Sequence, residues 1–406
     1  MTQPPSSPRK PDESITDAIG AAQAADASDR VFADDSEIVE AARRLGESVL
    51  GPNAELSDQM AAPNRANFEA LADAGLLGIA APRQYGGLEA SGATQREVTR
   101  ILASYCGVTT FIQAQHHGPS RMIASGPNQA LKDWLLPDLA RGARMCGISF
   151  AHLRRPGPPI LRAVPELGGY RLEGTAPWVT GWGLMNQVVF GATLPDGRFA
   201  YLWSPADRAD FPEIFADIAL PADGGALRAS PPLPLCAMNA SATVELRCDR
   251  WFIPEEHKLS ESDHETMRCN DRNGVLGATT MPLGCGAAAV RVLCAAAEKR
   301  NIPAVRRAAT SFGAELEDLH ATIEEWIART AEPGFFEKAV ELRAWCIEFG
   351  VRAAHAAVAS VSGAANLRSH PAQRLLREAM FYTIQAQTQE EMEATLERLG
   401  SRNARQ

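Results

Sequence analysis

Residues 168–193 read GGYRLEGTAPWVTGWGLMNQVVFGAT, two β-rich runs separated by a glycine-marked turn. They belong to a series of such runs that opens with MCGISFAHL after residue 143, continues through PDGRFAYLWS and closes with SATVELRCDRWFIP. On both sides the texture is helical. Upstream, Ile38, Ala42, Leu45 and Val49 step by three or four behind a Ser36 cap, and Val98, Ile101, Leu102 and Tyr105 share another face. NQALKDWLLPDLARG runs from an Asn128 cap to Gly142. Downstream, Leu342, Cys346, Phe349, Ala353 and Ala356 keep the same spacing, and a last helix is expected over about 371–399. The pattern predicts an α+β chain with a helical unit over 36–142, a β unit over 143–256 and a bundle of long helices over 257–406. Residues 1–35, rich in Pro, Ser, Asp and Ala, predict a disordered tail.

Composition narrows the functional classes. A formal net charge of -9 offers no positive field for nucleic acid or anionic lipid. The eight cysteines are scattered without a CxxC pair or a Cys/His cluster at zinc spacing, so they read as reduced, mostly buried thiols and no metal is expected. The N-terminus MTQPPSSPRKPDES lacks a signal peptide's apolar run, and no stretch is read as nearing the roughly 18 apolar residues of a membrane span. A cytoplasmic protein without a membrane partner is expected.

Five strings, in chain order, resemble the acyl-CoA dehydrogenase superfamily. They are FEALADAGLLGIAAPRQYGG (68–87), LKDWLLPDLARGARMCGISF (131–150), the 168–193 stretch, CAMNASATVELRCDRWFIPEE (236–256) and HPAQRLLREAMFYTIQAQT (370–388). The resemblance implies an N-terminal helical domain, a middle β-barrel or sandwich and a C-terminal four-helix bundle. It also implies FAD, with FMN or weak binding left open because the adenosine-side motifs are eroded. In PWVTGWG (177–183), it places Trp178 against the flavin ring and Thr180 at the N5/O4 edge. An indole has a wide apolar face, and a hydroxyl donates or accepts. Without the family context, a Trp and a Thr filling a sheet would be the commoner reading. The same resemblance puts Ser149 and Gly363 at the cofactor and Tyr85 under the substrate pocket.

The sequence also departs from the family. The base position near the end of Arg-Asp-Ala-x6-Glu-Gly-Thr reads REAMFYTIQAQT, so Ala386 stands for the glutamate, flanked by Gln385 and Gln387. Losing a general base typically costs about two to four orders of magnitude. Glu390 or Glu391, a turn further on, could replace it, although both also read as solvated helix charges. The Ala386 N–H remains able to polarise a carbonyl. The Gly-Ser-Asp turn has become SFAHLRRPGPP (149–159), where Arg154 and Arg155 could meet a phosphate or carboxylate or stay solvated. QAQHHGPSR (113–121) offers His116 and His117 as acid/base groups or as ordinary helix histidines.

The expected function is a flavin-dependent oxidoreductase acting on an acyl or aromatic small molecule. Alternatives are a two-component flavin monooxygenase, a degenerate subunit of a mixed oligomer, or a non-redox enzyme using His116 or His117. A homodimer or homotetramer is implied, with a flavin reductase or electron-transfer partner.

Overall fold

The computed structural model describes residues 32, 34–210, 220–221 and 223–401. The tail expected over 1–35 lies outside the described residues except for Phe32, Asp34 and Asp35. Helices come first: α1 (Asp35–Leu45), α2 (Gly51–Gln59), α3 (Arg65–Asp73), α4 (Gly92–Ala103), α5 (Gly107–Ser125) and α6 (Gln129–Arg141). The expected Ser36 cap is displaced by Asp34, whose carboxylate accepts from the Ser36 and Glu37 N–H groups and thereby satisfies two orphan donors. Helix α6 ends as its sequence demands. The Asn128 side chain accepts from Leu131 N at one end, and Gly142 takes a left-handed φ of 72° at the other.

Among the described residues eight strands follow: β1 (Cys146–Ser149), β2 (Leu161–Glu166), β3 (Gly169–Val179), β4 (Gln187–Thr193), β5 (Phe199–Pro205), β6 (Ala226–Ala229), β7 (Val244–Pro254) and β8 (Lys258–Ser262). They form one sheet in the order β6-β7-β3-β2-β4-β5-β8, with β1 alongside β4 in parallel. Leu161, Leu172, Phe190, Leu202, Leu246 and Ile253, from five strands, meet in a core of their own. Strand β3 is the hub, pairing with β2 and β7, and its register with β7 slips between Ala176 and Val179.

The chain returns to helices with α7 (His264–Gly274), α8 (Thr280–Arg300), α9 (Pro303–Ile327), α10 (Phe335–Val361), α11 (Pro371–Ile384) and α12 (Gln389–Gly400). Helices α8, α9, α10 and α11 pack into a bundle. The helices on either side of the sheet share a single core in which Ile38, Leu71 and Leu102 join Leu293, Phe349 and Leu375. At their seam Gly284 of α8 sits so close to α4 that a Cβ would lie 2.5 Å from the Arg100 carbonyl oxygen.

Two expectations change. The helical stretch His264–Arg300 is long and apolar enough to cross a membrane, contrary to the sequence reading, but its apolar window is mostly buried inside the bundle. The helix expected over 371–399 breaks at Gln385–Thr388, where Ala386 takes a φ of 52°. Thr388 restarts the helix as one half of a capping box with Glu391.

Candidate functional site

Strand β3 ends in a strained corner. At the β3/β7 register slip Trp178 takes a φ of 58°, a conformation uncommon for a bulky residue, and its side chain remains 47% exposed. Two residues on, Thr180 is buried and its Oγ1 lies 3.2 Å from Thr243 Oγ1, which in turn lies 2.7 Å from Ser241 Oγ. The 238–243 loop is strained as well, with Met238 at φ 60° and Ala242 at φ 45°. Ser149, at the end of β1, donates its hydroxyl to the Pro177 carbonyl at 3.1 Å. Ser149, Trp178 and Thr180 therefore gather at one corner. Gly363 lies in the 3-10 turn Ser362–Asn366 after α10, with open space where a side chain would stand. An accessible indole face beside a hydroxyl with donor and acceptor capacity suits a planar, edge-polar group such as a flavin ring.

The substrate-side residues are more heavily engaged. The Tyr85 hydroxyl donates to Asp133 Oδ1 at 3.1 Å and accepts from Gln129 Nε2 at 2.9 Å. Arg154 stays exposed but already holds a carboxylate of its own chain, its fork clasping Asp271 of α7 through bonds of 2.7 and 2.6 Å. That pairing raises the guanidinium pKa. Gln385 and Ala386 lie in the break between α11 and α12, and the fully buried Arg343 donates to the Gln385 carbonyl at 2.6 Å.

The acids beyond Ala386 divide. Glu390 is exposed in the first turn of α12, as a solvated charge should be. Glu391, expected to be solvated too, is buried: Oε2 accepts from Thr388 N at 2.8 Å and Oε1 lies 3.1 Å from Arg343 Nε. Burial pushes its carboxyl pKa up. The Arg377-Glu378 pair is likewise engaged, Arg377 Nη1 donating to Asp58 at 2.9 Å and Glu378 accepting from Arg374 Nη1 at 2.6 Å.

His116 is held by main chain on both sides. Its Nε2 lies 3.0 Å from the Leu139 carbonyl, which makes it the donor, while Nδ1 accepts from Cys146 N at 3.2 Å. Neither nitrogen is left for a substrate. His117 is buried beside it, and burial lowers the two pKa values to about 4 and about 3. The sequence reading passed over Ser241, Thr243, Asp271, Arg343 and the buried His152, which lies between Ser149 and Arg154. The Thr388-x-x-Glu391 capping pattern was available to mark the helix break, whereas the Arg343–Glu391 pairing had no local signal.

Residues 33–143 match the family model of the acyl-CoA dehydrogenase N-terminal domain. The probable acyl-CoA dehydrogenase YngJ of Bacillus subtilis (strain 168) is 21% identical over 360 residues, covering 84% of this chain and 91% of its own length. Butyryl-CoA dehydrogenase from Megasphaera elsdenii superposes with a TM-score of 0.73 at 16% identity, over 91% of this chain and 99% of that one. Dibenzothiophene monooxygenase (TdsC) from Paenibacillus sp. A11-2 does so with a TM-score of 0.72 at 15% identity, over 89% and 97%.

Proposed function

We propose that this chain is a member of the acyl-CoA dehydrogenase superfamily and a flavin-dependent oxidoreductase whose reaction needs no carboxylate at position 386. The observation that carries this reading is the corner itself, where Trp178 is held in a left-handed conformation with its indole half exposed, two residues from the Thr180 hydroxyl. A bound flavin supplies two-electron redox chemistry. Trp178 would cover one ring face, Thr180 would hydrogen-bond the ring edge, and Ser149 supports them by fixing the Pro177 carbonyl.

Ala386 takes no proton, and the acid nearest in sequence that is buried, Glu391, already caps α12 and pairs with Arg343. That commitment favours, as the more specific reading, oxygen insertion of the two-component monooxygenase type over desaturation of an acyl thioester. Such a reaction draws its reducing equivalents from a separate reductase. The substrate would be an acyl or aromatic small molecule, handled by a homodimer or homotetramer in the cytoplasm, with the helical and sheet units meeting near residue 142 and the bundle beginning only after β8 ends at Ser262, past the expected boundary at 256.

The visible spectrum of the purified protein, taken during FAD titration and anaerobic photoreduction, tests the reading. Flavin bands that bleach on reduction and weaken in Trp178→Ala support it; a protein that binds no flavin overturns it. Oxygen consumption by the reduced, loaded protein against acyl-CoA-dependent bleaching then separates the two reactions. A gain of acyl-CoA oxidation in Ala386→Glu would mean that the thioester site survives.

A further inference from the structure

Thr180 is the first of three buried hydroxyls in series. Its Oγ1 lies 3.2 Å from Thr243 Oγ1, and Thr243 Oγ1 lies 2.7 Å from Ser241 Oγ. The row bridges the end of β3 and the start of β7, and its geometry is fixed from both sides. Val179 pairs with Val244 in the sheet, and Gly181 N donates to the Ser241 carbonyl at 2.7 Å. The loop that carries the last two hydroxyls holds two non-glycine residues, Met238 and Ala242, in left-handed conformations. Backbone strain of this kind persists where the surroundings over-determine it.

We propose that Thr243 and Ser241 are positioning residues for the flavin edge, forming a hydroxyl relay that lets Thr180 either donate to a ring atom or accept from it. The proposal rests on the reading that Thr180 faces a flavin. Each hydroxyl has one proton and two lone pairs, so the row can run from Ser241 to Thr180 or in reverse. With the ring edge as acceptor, Thr180 would donate a hydrogen bond to it and accept one from Thr243. When the ring edge becomes the donor, Thr180 turns its proton to Thr243, and Thr243 turns its own to Ser241. No charge moves and no bond to hydrogen breaks. A carboxylate in the same place would accept only and would fix one direction, whereas three hydroxyls leave both open.

The two directions depend unequally on Thr243. With the ring edge accepting, Thr180 loses only a donor to its lone pair if Thr243 is removed. With the ring edge donating, the buried Thr180 proton is left without an acceptor, which is the more expensive loss. Removing the Thr243 hydroxyl therefore disfavours the reduced cofactor, whose edge nitrogen donates.

The experiment measures the midpoint potential of bound FAD, by equilibration against a reference dye, together with the FAD Kd, in the wild type and in Thr243→Val, Thr243→Ser and Thr180→Val. Thr243→Val is expected to bind FAD nearly as the wild type does. Its potential should fall by about 30 mV, equivalent to about a tenfold shift against the two-electron reduced form. Thr243→Ser should restore the potential, which a merely structural role for the threonine methyl would not predict. An unchanged potential in Thr243→Val, with a shift in Thr180→Val, would overturn the relay and leave the flavin reading standing. Flavin bound without any response to Thr180→Val would remove the ring from the relay's end and overturn it as well. A wild type that binds no flavin would take both down together.

Discussion

The sheet corner around Thr180 and the helix break around Ala386 each hold a non-glycine residue in the left-handed region, Trp178 at φ 58° and Ala386 at φ 52°. At the corner the unusual backbone projects an indole, and three hydroxyls converge behind it. At the break it only separates two helices, while the buried Glu391 is taken up by its cap and by Arg343. The comparison teaches that the same unusual backbone conformation can present an accessible aromatic face at one element and merely separate two helices at another, where the buried acid serves the framework. A function assigned from the fold alone would miss the division.

The largest effect expected is on the frame. His116, His152 and His257 are held down to about 4, and His117 to about 3, all mainly by burial, against an ordinary 6.5. Because these folded-state values are depressed, the stability they confer is complete above pH 6.5 and is lost as pH falls toward about 4. Each imidazole contributes at most ~1.4 kcal/mol per pH unit over that window. Circular dichroism should show a native fold at pH 7.5 and cooperative unfolding before pH 4 is reached. A denaturation midpoint that does not move between pH 7 and 5 would contradict the neutral buried state of these rings.

Next comes the framework acid. Arg343→Met strands Glu391 in the interior and should lower the unfolding free energy by ~3–5 kcal/mol, measured by urea titration. Adding Glu391→Leu should recover part of that loss. If Arg343→Met proves harmless, the pair is not framework, and the contrast between the two regions collapses.

Trp178→Gly should separate function from stability. The glycine relaxes the left-handed position, so stability should change by less than ~1 kcal/mol, while FAD affinity should drop about tenfold. The smallest effect expected is at the break, where Ala386→Gly should be neutral or stabilising by up to ~1 kcal/mol in the same titration and Ala386→Val should be destabilising.

What the sequence disclosed follows from how local each signal is. The cap and stop of α6 depend on Asn128 and Gly142 alone, and the structure has them where the residues put them. The order of helices, sheet and helices depends on periodicity within short windows and is equally plain. Strands β2, β6 and β8 are short, and their sequences lack a clear alternation, so they escaped notice. The break at Ala386 hid behind apolar spacing on either side of it, although Thr388 and Glu391 carried the capping pattern. Trp178 and Thr180 could be picked out because they lie two residues apart in a resembling string. Their partners Thr243 and Ser241 depend on the β3–β7 register, which no local pattern encodes. Arg154 and Asp271, and Arg343 and Glu391, meet only through tertiary packing, so the sequence offers Arg154 to an anion or solvent and Glu391 to catalysis or solvent, and gives no signal for Asp271 or Arg343.

The shared helical core has a consequence for synthesis. Ile38, Leu71 and Leu102 share one core with side chains from Val275 to Tyr382, with the whole sheet lying between them in the chain. A ribosome making this protein delivers the sheet with its own interior complete, but it releases the N-terminal helices long before their partners exist. The first helices made are among the last to find their core, and until the bundle emerges their apolar faces are what a chaperone would see.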